Sequence, residues 1–294
     1  MHPGILYAAS AYVLWGLFPL YFSHLSAVAA SEVLVHRIVW SLVFVLALLA
    51  WRRQWAWLAT TLRQPRVIVA FVASALLLSC NWLTYIWSVS HGHVLDASLG
   101  YFITPLVNVV LGYTVLHERP RRLQWAALAL AMLGVIWLTA QAGQLPWIAL
   151  VLAGSFGAYG LLRKIAPLGA LEGLTLETLL LAPPALVALA LWWGRGPTSF
   201  PAPELATNLW LIGVGPLTAV PLLLFAAGAR RISMTTLGLL QYIGPSIQFA
   251  LGVWLFNEPF GGQRLLGFAL IWAALLLYSA DGWRVARRTT AATA

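Results

Sequence analysis

The sequence predicts an all-α polytopic membrane protein whose ten transmembrane helices form two inverted five-helix repeats. Composition is the first observation, because 61% of the 294 residues are hydrophobic and only 9% are charged, whereas soluble domains carry roughly 25% charged residues. An internal repeat is the second, since the pattern P-x6-G-x5-E runs from Pro105 to Glu118 and again from Pro245 to Glu258. The chain therefore consists of two copies of one unit, offset by 140 residues.

Ten apolar runs are long enough to cross a bilayer, which takes about 20 helical residues. These runs cover residues 4–23, 33–51, 68–90, 97–116, 123–141, 145–163, 173–193, 208–229, 235–256 and 264–281. The first repeat is predicted at 1–141, the second at 145–283, and a cytoplasmic tail at 284–294. Because five is an odd number, the second repeat must enter the membrane in the opposite direction from the first.

Most of the 17 lysine and arginine residues follow the even-numbered runs, on one side of the predicted membrane. By the positive-inside rule, this asymmetry predicts a multi-pass protein with both termini in the cytoplasm. The net charge of +9 then reflects membrane orientation and contact with the lipid bilayer, and no nucleic-acid partner is expected. The sequence sets no oligomeric state, and a monomer is compatible with it.

Inverted repeats are the usual plan of secondary transporters, because two units related by an axis in the membrane plane can alternate access to a central site. The sequence contains no P-loop, dinucleotide-binding or zinc-protease motif, so neither an ATPase domain nor a cofactor is expected. An intramembrane enzyme and a channel-like facilitator are the alternatives. The nearest catalytic set, His36 with Ser41 and Glu177, matches no motif, and a channel would need a continuous polar pore.

Several short segments carry a specific pattern, and together they span most of the chain. They are residues 31–32, 36–41 (HRIVWS), 81–82, 97–103 (ASLGYFI), 105–108 (PLVN) and 241–245 (QYIGP). These segments resemble the EamA branch of the drug/metabolite transporter (DMT) superfamily. The resemblance implies a ten-helix inner-membrane permease of two EamA-like repeats, associated with chloramphenicol resistance and moving small organic metabolites or drugs.

Polar stripes on the predicted helices indicate a central cavity. Tyr101 and Asn108 lie on one face of the fourth helix, and Gln241 and Gln248 repeat them on the ninth. Aromatic rings with a polar edge suit an organic ligand better than a bare ion. The alternative is interhelical packing with amide side chains as hydrogen-bonding groups. The residues predicted to line the cavity are Trp15, Asn81, Trp82, Tyr85, Tyr101, Asn108, Tyr159, Gln241, Tyr242 and Gln248.

Matched helix-breaking residues predict hinges beside this cavity. Pro105 and Pro245 each lack the amide that would bond four residues back, and Gly112 and Gly252 follow at the same spacing. Close helix packing is the alternative for the two glycines. The resemblance implies that helices 1, 3, 4, 6, 8 and 9 line the cavity, and the nearly uniform apolar character of helices 5 and 10 fits a position at the periphery.

Arg37 and Glu177 are predicted as the ionised residues well inside apolar runs, at equivalent positions of the two repeats. Burying either one alone costs about 2.5–3.5 kcal/mol on insertion scales. Three interpretations stay open: a direct ion pair between them, snorkelling from helix ends, or coupling to a substrate or a proton.

Other ionisable residues favour structural roles. His91 and His93 with Asp96 supply too few ligands for a metal site, so no metal is predicted, and Asp96 is expected to cap the fourth helix. His36 is expected to pack. Glu118 and Glu258 are expected to have structural roles at the membrane surfaces, such as an ion pair of Glu118 with Arg119, Arg121 or Arg122.

Overall fold

The computed structural model describes residues 2–90, 94–142, 147–193, 199–255 and 262–293, and all regular secondary structure within these ranges is helical. A short 3-10 turn, Ser23–Leu25, follows the second helix. The helices are α1 (Pro3–Gly16), α2 (Phe18–Phe22), α3 (Ala30–Arg52), α4 (Ala56–Leu62), α5 (Pro65–Ser90), α6 (Val94–Thr114), α7 (Arg122–Ala142), α8 (Trp147–Ile165), α9 (Ala170–Trp193), α10 (Leu205–Ala229), α11 (Met234–Gln241), α12 (Ile243–Trp254) and α13 (Gly262–Thr293).

Eight helical segments of the described residues are long and apolar enough to cross a membrane. They are Pro3–Leu25, Ala30–Arg52, Pro65–Tyr85, Arg122–Gln141, Trp147–Ile165, Ala170–Trp192, Leu205–Ala229 and Leu265–Gly282. The prediction of a multi-pass, all-helical membrane protein is therefore confirmed. The two remaining predicted runs, 97–116 and 235–256, fall on α6 and on α11 with α12. The helix α13 continues to Thr293, through most of the predicted tail.

Two of the predicted runs contain a break. Leu17 separates α1 from α2, and Pro19 occupies the start of α2, where a helix needs no backbone donor. Tyr242 separates α11 from α12, three residues before Pro245. By contrast, α6 continues through Pro105 without a break. The two prolines predicted as matched hinges thus have different local structures.

Several helix pairs recur when the helices of the two predicted repeats are matched in chain order. This order matches α1, α3, α5, α6 and α7 with α8, α9, α10, the α11–α12 pair and α13. α1 packs against α10 as α5 packs against α8, and α3 packs against α10 as α5 packs against α9. α6 packs against α8, and in the same way α1 packs against α11 and α12. Three further pairs, α7 with α13, α3 with α9 and α6 with α11, join corresponding helices of the two halves.

The pair α7 and α13 forms a tight crossing built on small residues. A Cβ atom added at Gly134 would lie 2.8 Å from the backbone oxygen of Gly267. Ala127 and Ala274 are fully buried in the same contact region. Small side chains allow this close approach of two helices in a membrane.

Glu118 has the structural role predicted for it, but its partners are not the three arginines named as examples. Its carboxylate accepts hydrogen bonds from the backbone amides of Met234 at 2.8 Å and Thr235 at 3.1 Å. The first amides of a helix have no partner within that helix, so the carboxylate satisfies donors at the start of α11. Its negative charge also interacts favourably with the positive end of the helix dipole there. Arg121 pairs instead with Asp281, at 2.7 Å from Nε to the carboxylate.

Candidate functional site

A cavity of about 490 Å³ lies in the middle of the bundle. It reaches the exposed Ser26 in the connection between α2 and α3, so it opens at that end of the bundle. The six helices predicted to form the wall all contribute. In the structure they are α1 with α2, α5, α6, α8, α10 and α11 with α12, and α3 contributes as well. The wall consists of Tyr12, Trp15, Phe18, Pro19, Phe22, Leu25, Ser26, Val28, Ala30, Val33, Leu34, Arg37, Asn81, Trp82, Tyr85, Tyr101, Phe156, Leu222, Gln241, Gly244, Pro245 and Gln248.

Seven of the ten residues predicted to line a cavity lie in this wall: Trp15, Asn81, Trp82, Tyr85, Tyr101, Gln241 and Gln248. The other three, Asn108, Tyr159 and Tyr242, lie behind it and are buried between helices. A stripe along a helix faces both the cavity and a neighbouring helix at different depths. The spacing of residues alone could not separate the two environments.

Asn108 and Tyr242 make contacts that explain their placement. The Asn108 amide nitrogen donates to Gln241 Oε1 at 3.0 Å, which joins α6 to α11. The Tyr242 hydroxyl donates to the backbone oxygen of Phe102 at 3.2 Å, and the two rings stack at 6.4 Å between centroids. Both residues stabilise contacts between helices, and neither lines the cavity.

Amide side chains of the wall also bind other helices. Asn81 donates to Ser155 Oγ at 3.1 Å and to the oxygen of Leu152 at 3.0 Å. Gln248 donates from Nε2 to the oxygen of Trp15 at 3.1 Å. These residues therefore combine the two predicted roles, since they line the cavity and also hydrogen-bond across helix interfaces.

An aromatic layer closes the inner end of the cavity. The ring of Phe225 is fully buried and lies 5.3 Å from Phe156, 5.7 Å from Trp15 and 5.9 Å from Tyr159, measured between centroids. Of these rings, Trp15 and Phe156 face the cavity. Aromatic rings at such distances form favourable contacts, so the four rings pack together at this end of the cavity.

Polar contacts join the helix ends beyond the aromatic layer. Lys164 at the end of α8 donates to the oxygen of Ala229 at 3.2 Å and also to that of Ile232. Arg230 donates to the oxygen of Ala166 at 2.6 Å. A Cβ at Gly4, near the start of α1, would contact the side chain of Ile232 at 2.8 Å. The start of α1 and the end of α8 therefore both lie beside the α10–α11 connection at the closed end.

The prediction of a direct Arg37–Glu177 pair is wrong for this conformation. Arg37 Nε donates to Thr218 Oγ1 at 3.1 Å. Glu177 is fully buried and lies 3.8 Å from Arg163 Nη1. The carboxylate also accepts a hydrogen bond from Ser74. Each ion therefore has a different set of partners, on different helices.

Arg163 is a functional candidate that the sequence reasoning missed. The sixth predicted run, 145–163, ends at this residue, whereas α8 continues to Ile165 and Arg163 is only 1% exposed. Its guanidinium lies over the ring of Phe71 at 5.5 Å and donates to the oxygen of Ala170 at 3.0 Å. The available signal was the four-residue spacing from Tyr159, which places both side chains on one helix face.

Known proteins resemble this chain in sequence and in fold. The EamA-like transporter family model matches residues 2–140. An uncharacterised transporter of Pseudomonas aeruginosa is 49% identical, over 97% of this chain and 96% of its own length. The protein RarD of Streptomyces exfoliatus is 47% identical, over 98% of this chain and 91% of its own length. A crystal structure with 18% identity has a TM-score of 0.72, covering 93% of this chain and 96% of the other.

The chain belongs to the EamA-like transporter family. The family predicted from the sequence is thus confirmed, and with it membership of the DMT superfamily. This EamA-like protein is a multi-pass membrane transporter. The likeness to the crystal structure adds the fold alone, because the two sequences share so few residues.

The catalytic alternative finds no support in this EamA-like protein. The ring of His36 accepts a hydrogen bond from Trp40 Nε1 at 3.1 Å, and Ser41 donates to the oxygen of Gly215 at 3.0 Å. Neither residue contacts Glu177 through a hydrogen bond within the part of the chain that the structure describes. His36 therefore packs, as predicted.

The remaining predictions concern a metal site and the hinge glycines. Within the described ranges, no group of three metal-ligating side chains occurs. His91, His93 and Glu258 lie outside the described residues, as does the side chain of Asp96. Gly112 lies where a Cβ would meet the Glu118 carboxylate at 2.7 Å, which favours close packing.

Proposed function

We propose that this EamA-like protein is a secondary transporter that moves a small organic solute across the inner membrane by alternating access. One observation carries the proposal: the central cavity opens at one end, while aromatic and polar contacts close the other. A channel would need a polar path through the bundle, and in this conformation the aromatic layer interrupts such a path. The wall of aromatic rings and amides favours an organic solute over an inorganic ion.

Two inverted repeats of five transmembrane helices provide the mechanism in this proposal. The helix pairs that recur with the halves exchanged support it, because a twofold axis in the membrane plane would generate that pattern. The match of the family model to residues 2–140 supports a first repeat at 1–141. The second repeat would then occupy 145–283, with α6 and the α11–α12 pair as corresponding spans.

The proposed orientation places both termini in the cytoplasm. Arg230, Arg231 and Lys164 lie at the closed end of the bundle, and basic residues favour the cytoplasmic side. The open end, at Ser26, would then face away from the cytoplasm. In this proposal, the conformation described is the outward-open state of the transport cycle.

Uptake by proteoliposomes tests the proposal. The purified chain would be reconstituted and offered a panel of labelled amphiphilic organic solutes, including chloramphenicol, with and without the same solute inside. We expect saturable uptake that is stimulated by internal solute, because a carrier exchanges solutes and a channel does not. Trp82→Ala in the cavity wall should abolish this uptake, whereas Trp51→Ala, whose side chain is 82% exposed outside the cavity, should retain it.

The controls separate the alternatives. Melting temperatures of both variants identify a loss of uptake that comes from unfolding. Uptake without stimulation by internal solute indicates a facilitator. If the parent takes up no solute of the panel in a saturable manner, the proposal of an organic-solute carrier is contradicted.

A further inference from the structure

The charge of the cavity wall is the starting observation. Among the described residues of that wall, Arg37 is the only charged one, and no described carboxylate forms an ion pair with it. Its Nε is fixed by Thr218 Oγ1 at 3.1 Å. The terminal nitrogens donate no hydrogen bond to a described residue, and Arg37 lines the cavity, so these donors are available to a molecule that occupies it.

The surroundings of the guanidinium determine what it can bind. Its central carbon lies 4.8 Å from the ring centroid of Trp82 and 5.8 Å from that of Phe22. Cation–π contacts orient the group but supply no negative charge. A cation among apolar walls gains most from a hydrogen-bonded anion, and the planar fork of an arginine matches a carboxylate with two parallel bonds.

We propose that the cargo is an organic monoanion, whose carboxylate or similar acid group binds the terminal nitrogens of Arg37. This inference rests on the transporter function proposed above and deepens it. The single cation in the described part of the wall balances one negative charge. The aromatic side chains Trp15, Phe22, Trp82 and Phe156 then contact an apolar or aromatic body of the solute.

Three matched probes test the charge. 4-Phenylbutanoate, 4-phenylbutanamide and 4-phenylbutylammonium share one apolar body and differ in charge. Their dissociation constants would be measured by calorimetry on the purified full-length protein. We expect the anion to bind the parent at least about tenfold more tightly than the amide, because a hydrogen bond to a charged group is worth that factor or more.

Variants assign the preference to one residue. Arg37→Gln should weaken anion binding about tenfold and leave amide binding unchanged. Arg37→Lys keeps the charge but lacks the planar fork, so it should retain part of the preference. Arg231→Gln is the matched control, because Arg231 lies over the ring of Tyr7 at 5.3 Å and outside the cavity wall. This control should bind all three probes as the parent does.

Several results would overturn the inference. They are equal affinity of the parent for anion and amide, no binding of the anion, or a preference that persists in Arg37→Gln. Sodium chloride that displaces phenylbutanoate as effectively as a second organic carboxylate would assign the site to an inorganic anion instead. Saturable flux of the neutral amide with no anion preference would remove the charge assignment and leave the proposed carrier function intact, whereas absence of any saturable flux removes that function.

Discussion

The hydroxyl of Tyr242 donates a hydrogen bond to the backbone oxygen of Phe102 at 3.2 Å, and the two residues are 140 positions apart. The same offset relates the two P-x6-G-x5-E patterns of the sequence. In a twofold arrangement, a residue can contact its own counterpart only close to the axis. The proposed axis between the repeats therefore passes near this pair, between α6 and the break that separates α11 from α12.

The orientation can be tested by cysteine labelling. In a Cys80→Ser background, a single cysteine would replace Ser26, in the connection between α2 and α3, or Thr60, in α4. A membrane-impermeant maleimide applied to intact spheroplasts should label Ser26→Cys and leave Thr60→Cys unlabelled until the membrane is opened. The reverse pattern contradicts cytoplasmic termini, because the two sites lie at opposite ends of α3.

The buried Arg163–Glu177 pair should affect stability. Removing one charge leaves the other unpaired in a low-dielectric interior, which costs about 3–5 kcal/mol, whereas removing both can cost little. We therefore expect Arg163→Gln and Glu177→Gln to lower the melting temperature, and the double variant to recover part of the loss. The exposed Arg231→Gln is the control with the same change of charge.

Glu177 also allows a separate test of coupling. Uptake by Glu177→Gln would be compared with that of the parent, with and without an imposed pH gradient. A variant that melts like the parent but no longer responds to the gradient assigns the carboxylate to proton coupling. If both single variants keep the parent's melting temperature and its response, the pair has neither role.

Asn108 and Gln241 should respond differently to truncation. Asn108 is 1% exposed and donates to Gln241 Oε1. Asn108→Ala leaves that acceptor without its partner, at a cost of about 1–3 kcal/mol, and its main effect should be a lower melting temperature. Gln241→Ala should in addition raise the solute concentration needed for half-maximal uptake, because Gln241 lines the cavity. Equal effects of both variants on that concentration would place them in one role.

The α7–α13 crossing provides a matched pair of glycine variants. Gly134→Ala would place a Cβ at 2.8 Å from the oxygen of Gly267, a backbone atom that cannot move alone, so the two helices must separate. At Gly154 in α8, no atom lies within 4 Å of an added Cβ. We expect the melting temperature to fall for Gly134→Ala and to stay level or rise for Gly154→Ala, since alanine favours helix by about 1 kcal/mol. Equal melting of both would exclude a tight crossing.

The sequence predicted the helical fold class and seven residues of the cavity wall, because apolar length and helical spacing are local properties, and its short motifs predicted the family. It could not assign Arg163, because a basic residue near the end of an apolar run turns outward or inward according to its neighbours in space. Here Glu177 and Phe71 receive it. Equal repeat positions also made a direct Arg37–Glu177 pair one of the open interpretations, although equivalent positions need not be close together. Contacts between distant segments decided both cases.

The continuous α6 and the interrupted α11–α12 pair together predict the local structure of the inward-facing state. Under the proposed symmetry the two are equivalent, yet one continues through its proline and the other is interrupted at Tyr242. A carrier built from two such units changes sides when each unit adopts the shape of the other. We therefore expect a bend to arise at Phe102 as the interruption at Tyr242 straightens. In the inward-facing form, α6 would then be interrupted and α11 would continue into α12.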